Sequence, residues 1–199
     1  MALEGVDGSG KSTQARRLAS SLGALLTFEP GATALGRALR ELLLGGDHPA
    51  PVGRAEALLM AADRAQHVEE VIRPALERGR WVVTDRFSGS TLAYQGHGRG
   101  LGLEVLGQLV LWAAGGTVPD LTVLIDVPAS VARRRLEAVA PDRLERLDAS
   151  FFSRVREGYL ALAAGDPGHW VVIDGDAAPD AVAVELLTAV TTRLGGRRR

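Results

Sequence analysis

Gly5-Val6-Asp7-Gly8-Ser9-Gly10-Lys11-Ser12 is a complete G-x-x-x-x-G-K-[ST] stretch. It is the sequence of a strand-to-helix turn that cradles phosphate. An apolar start, Met1-Ala2-Leu3, precedes it, and Thr13-Gln14-Ala15-Arg16-Arg17-Leu18-Ala19 follows with the composition of a helix. The glycines let backbone N–H groups turn inward around phosphate oxygens. Lys11 is the one lysine in the chain; the other 22 of its 23 Lys plus Arg residues are arginine. A compact ammonium on a flexible stem follows a phosphoryl group, whereas a planar guanidinium is too wide for the nest. Lys11 is expected to be exposed in the loop and to contribute charge rather than packing. Ser12 opens the helix, so its hydroxyl can ligate magnesium while the helix N-terminus faces the anion. Gly5, Val6, Asp7, Gly8, Ser9, Gly10, Lys11, Ser12 and Thr13 are therefore the candidate nucleotide-binding residues.

Outward from this loop, short apolar runs alternate with helical patterns, which is the signature of stacked βαβ units. Strands are predicted at 1–4, 24–28, 81–85, 121–127 and 170–174. Helices are predicted at 11–22, 34–44, 54–78, 103–114, 130–139, 149–163 and 178–194. Leu121-Thr122-Val123-Leu124-Ile125 reads as a strand buried on both faces. Pro74 falls inside the longest helix and is expected to kink it. Gly45-Gly46 and Gly115-Gly116 read as helix terminators. These elements predict one α/β domain over 1–199, three layers deep (α/β/α), around a five-stranded parallel sheet. Ligands are expected beyond the carboxyl ends of its strands.

Composition narrows the function. Hydrophobic residues make up 46% and charged residues 24%, ordinary values for a globular domain. A formal net charge of −1 argues against a nucleic-acid partner, and Arg197-Arg198-Arg199 reads as a solvated tail. The chain has no cysteine, which excludes disulfides, thiol catalysis and zinc–cysteine sites. No segment is long and apolar enough to span a membrane, and no signal peptide precedes the loop. A cytoplasmic protein with no membrane partner is the expectation. With no asparagine and its one lysine committed, the chain cannot carry the Asn-Lys-x-Asp guanine motif of switch GTPases.

The segment that chooses among the remaining phosphate-loop chemistries is Asp85-Arg86-Phe87-Ser88-Gly89-Ser90-Thr91-Leu92-Ala93-Tyr94-Gln95-Gly96. It begins where the third strand ends, at the mouth of the site. Asp85 can reach a magnesium shell beside Ser12, and Arg86 can grip a second phosphate with two parallel hydrogen bonds. Ser90, Thr91 and Gln95 suit the edge of an uncharged base, and Tyr94 offers a stiff ring for shape selection. A plain surface ion pair at Asp85-Arg86 is the competing structural account. A strand-end position in such a sheet favours the functional one.

These residues resemble the thymidylate kinases of the nucleoside monophosphate kinase group, and the resemblance runs nearly end to end. Glu29-Pro30-Gly31-Ala32-Thr33, Leu35-Gly36, Arg40 and Leu42-Leu43-Leu44 resemble the family's E-P-G-G-T-x-L-G-x-x-[IL]-R-x-L-L-L stretch. Ala61-Ala62-Asp63-Arg64-Ala65-Gln66-His67 is similar to its A-A-D-R-A-Q-H, and residues 85–95 to its D-R-[YFH]-x-x-S-x-x-A-Y-Q. Gly98-Arg99-Gly100-Leu101, Pro119-Asp120-Leu121-Thr122 and Leu124-Ile125-Asp126-Val127 fit as well. Asp142-Arg143-Leu144-Glu145 followed by Phe151-Phe152 resembles its lid and the next helix.

The resemblance implies a P-loop kinase that transfers the γ-phosphoryl of ATP, with Mg2+, to thymidine monophosphate (dTMP). Lys11 and Ser12 then serve ATP and magnesium, and Asp85 joins Ser12 at the metal. Asp7 lies near the acceptor's sugar and phosphate, and Arg40 and Arg86 hold that phosphate. Arg64 addresses the thymine edge, with Ser90, Thr91 and Gln95 around the base. Tyr94 crowds the position of a ribose 2′-hydroxyl. Met60 stands where the family commonly has a Phe stacked on thymine, and its polarizable sulfur can pack on a base instead. Phe28 replaces a frequent Arg, Ala32 a glycine and Arg37 an acid, while His97 reads as a loop residue. Gly8 occupies the place where some members carry a catalytic arginine. That role then falls to the lid, a mobile segment at about 134–148, where Arg143 is expected to contact ATP and one of Arg134, Arg135 or Arg146 to stabilise the transferred phosphoryl.

The resemblance also implies a helix-packed homodimer. The apolar Leu58-Leu59, Val68, Val71 and Ile72, with Leu106, Leu109 and Val110, are the expected surface for it. Two other readings keep the loop and change the function. One is a kinase of another nucleotide or of a deoxynucleoside; the other is a non-catalytic ATP-binding regulatory module. Arg40, Arg64, Asp85 and Arg86 weigh against the second, since a pure ATP binder has no need of a second phosphate site.

Overall fold

The computed structural model describes residues 1–45, 48–136, 143 and 147–195. Five strands, β1 (Ala2–Glu4), β2 (Leu25–Phe28), β3 (Val82–Asp85), β4 (Thr122–Asp126) and β5 (Trp170–Asp174), form a parallel sheet in the order β2-β3-β1-β4-β5. Every predicted strand is present, with ends within one residue of expectation. Leu3 sits opposite both Asp85 and Val123. The register therefore brings the end of β3 level with the start of the glycine-rich loop.

The helices are α1 (Lys11–Leu22), α2 (Ala34–Leu44), α3 (Gly53–His67), α4 (Arg73–Glu77), α5 (Ser88–Thr91), α6 (Leu103–Ala113), α7 (Ala129–Leu136), α8 (Ala149–Gly165) and α9 (Pro179–Leu194). Alternation along the strands divides the core in two. Leu3, Val83, Val123, Ile125 and Ile173 face α1 and α9, meeting Ala15, Leu18, Val182, Leu186 and Val190. Leu124 faces the other way onto Tyr94, Val155 and Tyr159 of the layer containing α8. Ala2 and Val82 face Val68, Ile72 and Phe87. This is the expected three-layer architecture. No helix among the described residues is long and apolar enough to cross a membrane.

Two stretches depart from the predicted helices. The run predicted at 54–78 is helical from Gly53 to Glu77, but it widens into a π turn at Val68–Ile72. Pro74 has no N–H to donate. The helix accommodates it by an i→i+5 bond from Arg73 N–H to Val68 O, and Pro74 sits in the first turn of α4. The second departure is at 88–98, which carries no predicted helix. It forms α5 and continues as a π-helical stretch, Leu92–Gly98.

The surface expected for a homodimer is also redrawn. Val68, Ile72, Leu106 and Val110 are buried within the chain itself. Of the expected residues, Leu58 is exposed, at 60%. Leu103, Val105, Leu111 and Trp112 of α6 are exposed as well, and α3 and α6 pack on one another.

Candidate active site

The glycine-rich loop joins β1 to α1. Gly8 has φ +80 and lies against the Ala132 carbonyl of α7, so no side chain fits there. A Cβ on Gly5 would stand 2.6 Å from the Ile125 carbonyl. Gly10, at φ +91, faces open space and opens α1 in a left-handed conformation. The loop backbone is thus turned with its N–H groups around a concavity at a helix N-terminus, an anion nest. Val6 is buried under it, and Ser12 and Thr13 are exposed at its rim.

Lys11 is only 5% exposed, against the expectation of an exposed side chain. Its ammonium donates to the Val6 carbonyl and to Asp7 Oδ1, each at 3.3 Å. Burial, followed by the charge of Arg86, lowers its pKa, and Asp7 and Asp85 oppose the shift. Burial alone would raise the Asp7 carboxyl. Arg86 and Lys11, with a hydrogen bond from Tyr94, hold it below the usual carboxylate range.

Arg86 joins the two halves of the site. It is the non-glycine residue with positive φ among those described, at 72°, a conformation costly enough to mark a functional constraint. This backbone turns the guanidinium back across the end of β1. Nη1 donates to the Gly5 carbonyl (3.2 Å), Ser90 Oγ (3.0 Å) and Tyr159 Oη (3.3 Å). Nη2 donates to Asp7 Oδ1 and to Tyr94 Oη, and Tyr94 Oη donates to Asp7 Oδ2 at 2.7 Å. Burial alone would lower the Arg86 pKa, but Asp7 raises it further, so the cation is secure.

Beside Arg86 opens a cavity of about 80 Å³. All nine residues expected at the acceptor line it: Asp7, Arg40, Met60, Arg64, Arg86, Ser90, Thr91, Tyr94 and Gln95. Arg64 is 2% exposed and firmly oriented. Nε donates to Glu29 Oε2 (3.0 Å), Nη1 to Thr91 Oγ1 (3.2 Å) and Nη2 to the Phe87 carbonyl (2.9 Å). Gln95 gives its amide N–H to Glu56 at 2.8 Å, and Glu56 also holds Arg99. Arg40 donates to the Pro30 carbonyl at 2.9 Å.

Several supporting residues were absent from the sequence expectations. Glu29 also binds His67 Nδ1 (2.9 Å), and His67 Nε2 meets Thr27 Oγ1 (2.6 Å). Because a carboxylate only accepts, Nδ1 carries the proton toward Glu29. Glu4 is wholly buried and binds Phe87, Ser90 and Tyr159. Burial pushes its carboxyl pKa up, against the Ser90 hydrogen bond and the Arg86 charge. The one signal for Glu4 in the sequence was a carboxylate closing an apolar strand.

Asp85 Oδ1 is buried with no hydrogen-bond partner, and Asp85 adds to the field at Lys11. No cluster of three or more acidic or histidine ligands exists among the described residues. One free carboxylate oxygen, the rim hydroxyl of Ser12 and phosphate oxygens form a donor set that fits magnesium, which is commonly held by one or two carboxylates plus phosphate.

The lid arginines separate. Arg135 donates to the Gly8 and Ser9 carbonyls (3.4 Å each) and to the Gly175 carbonyl (3.0 Å), and lies 3.6 Å from Asp176. It flanks the phosphate loop on its β5 side, away from the acceptor cavity. Arg134 is exposed on α7. Arg143 donates to the Leu42 carbonyl of α2 at 3.4 Å. Arg146, and residues 137–142 and 144–146 of the lid generally, lie outside the described residues.

The family model described as "Thymidylate kinase" matches residues 3–185. The chain belongs to the thymidylate kinase family. A thymidylate kinase of Synechococcus sp. (strain JA-2-3B'a(2-13)) is 50% identical over 96% of this chain and 94% of its own. That of Methylococcus capsulatus is 47% identical over 98% and 95%. The crystal structure of thymidylate kinase from Ehrlichia chaffeensis superposes with a TM-score of 0.78 at 31% identity, over 96% of each chain. The α/β P-loop kinase fold of the family is the fold seen here.

Proposed function

We propose that this chain transfers the γ-phosphoryl group of ATP to dTMP, giving thymidine diphosphate. The observation that carries the reading is the joint held by Arg86. This one cation touches Asp7 of the phosphate loop and also lines the cavity with Arg40 and Arg64. Two phosphate sites bridged by an arginine are what transfer between two nucleotides needs, and what a hydrolase or a simple ATP binder lacks.

The reaction asks the protein for little covalent chemistry. Positioning and neutralising the phosphoryl oxygens supply most of the catalysis. Lys11 leaves Asp7 to follow the donor phosphates, while the nest N–H groups hold them. Arg86 exchanges Asp7 for the acceptor phosphate, with Arg40 on its outer side. The Arg64 Nη1 edge faces the base, and Met60 forms a flexible apolar wall. Ser12 and Asp85 would hold magnesium, whose charge would offset that of the transferred group. Arg143 contacts ATP, and one of Arg134, Arg135 or Arg146 supplies the remaining positive charge.

The protein acts as a single domain in the cytoplasm, without nucleic-acid or membrane partners, and as a homodimer packed through α3 and α6. A coupled assay of ADP release tests the activity. Release is expected only with dTMP present; ADP release at the same rate without an acceptor would overturn the reading.

A further inference from the structure

We infer that Glu4 is a positioning residue for Arg86: it orients the hydroxyls of Ser90 and Tyr159 so that they anchor the Nη1 edge of the guanidinium while Nη2 exchanges Asp7 for the acceptor phosphate. The inference rests on the reading that Arg86 holds that phosphate. Glu4 ends β1, one residue before the phosphate loop, and is 0% exposed. Its Oε1 accepts from Phe87 N–H (3.0 Å) and Ser90 N–H (3.1 Å), so it caps the start of α5. Its Oε2 accepts from Ser90 Oγ (2.6 Å) and Tyr159 Oη (3.1 Å).

An ionised carboxylate only accepts, and an arginine only donates. Ser90 and Tyr159 lie between the two, with their oxygens 2.9 Å apart. Each hydroxyl has one hydrogen. Facing Glu4, directly or through one another, those hydrogens leave lone pairs toward Arg86 Nη1, which donates to both. The polarity of the whole chain therefore runs from Arg86 to Glu4 and is set by Glu4. Gly89 lets α5 approach Glu4 closely. A Cβ on Gly89 would stand 2.8 Å from Glu4 Oε1 and 2.9 Å from the Trp170 ring.

Glu4→Gln separates this role from capping. Its amide oxygen can still accept the two backbone N–H groups, so α5 keeps its cap. Its amide nitrogen, however, donates where Oε2 accepted. The Ser90 and Tyr159 hydrogens must then turn toward Arg86 and push its Nη1 edge away. The KM for dTMP is expected to rise about tenfold, the scale of one charged hydrogen bond, with the KM for ATP within about twofold of wild type. In a Ser90→Ala, Tyr159→Phe background the hydroxyl relay is gone, and adding Glu4→Gln should change the dTMP KM by less than about twofold. Unchanged constants in Glu4→Gln overturn the inference, as does an equal rise in both KM values, or a penalty that persists without the hydroxyls. If Glu4→Gln does not fold, Tyr159→Phe decides: a selective rise in the dTMP KM supports the relay, and wild-type constants overturn it. An Arg86→Gln variant with an unaltered dTMP KM would instead remove the reading of Arg86 itself, and the inference with it.

Discussion

Lys11 and Arg86 share one carboxylate, Asp7, and that sharing explains much of the site's chemistry. Lys11 is buried and Arg86 half-buried, and each has its charge balanced by a group that substrate phosphate can replace. Lys11→Ala is expected to reduce kcat by at least about a hundredfold, in line with the loss of one preorganised charged donor. The fold should survive, because Arg86 still pairs with Asp7; the measurements are steady-state kinetics and a melting curve. Tyr94 divides its work between ring and hydroxyl. The ring packs edge-on against Phe151 and Tyr159, and the hydroxyl binds Asp7. Tyr94→Phe should keep the preference for dTMP over uridine monophosphate. Tyr94→Ala should relax it, at a stability cost of about 3–5 kcal/mol for the emptied aromatic site. Asp63 brings a pH dependence. It is 1% exposed, accepts from Gly31 N–H, and leaves Oδ2 unpartnered. Burial, then the neighbouring Glu29, pushes its pKa up to about 6. The folded protein thus holds this proton more tightly than the unfolded chain. The stability Asp63 contributes is full below pH about 4 and is lost as the pH rises through 6. Asp63→Asn should remove that part of the slope in a pH series of melting temperatures; an unchanged slope would refute the assignment.

At the level of elements, the sequence and the structure part at residues 88–98. Ser88-Gly89-Ser90-Thr91, with Gly96 and Gly98, reads as loop because serine and glycine favour turns. Its helix forms because tertiary contacts override that preference. Glu4 satisfies two N–H groups at its start. The glycines then permit close packing: a Cβ on Gly98 would meet the Phe151 ring at 2.7 Å, and one on Gly96 would meet Leu103 at 2.5 Å. The segment carries Ser90, Thr91, Tyr94 and Gln95, so its helical form is what turns them into one wall of the cavity. The reverse holds at α2. There Thr33 of the Glu-Pro-Gly-Ala-Thr stretch caps the helix through Gly36 N–H at 2.9 Å, a local role that its position already announces. Thr33→Ala should cost about 1 kcal/mol, a fall of roughly 2–4 °C in Tm for a domain of this size. It should also loosen the helix that carries Arg40.

For the whole molecule, Leu58, Val105 and Trp112 are the expected core of a symmetric contact. Sedimentation at micromolar concentration should show a dimer, and Trp112→Glu should shift it toward monomer; a monomer in the parent protein would contradict the packing. Of the residues first expected to form that contact, Val68, Ile72, Leu106 and Val110 proved to be core, whereas Leu58 is exposed. A helical stripe states that a face is apolar but not what covers it. Local order along the chain determined the five strands and the phosphate loop, since those depend on backbone freedom and strand alternation, while Asp7, Arg40, Met60 and Arg64 were expected at the acceptor only from the family resemblance. Only the tertiary structure decided that Lys11 is buried on Asp7, that Arg135 flanks the phosphate loop while Arg143 lies on α2, and that Glu4 stands behind Arg86. Lys11 and Asp7 are four residues apart on the loop and meet only because the loop folds back; the other contacts join residues far apart in sequence. Their partners are chosen by the way the parallel strands align their carboxyl ends, and no spacing along the chain encodes that.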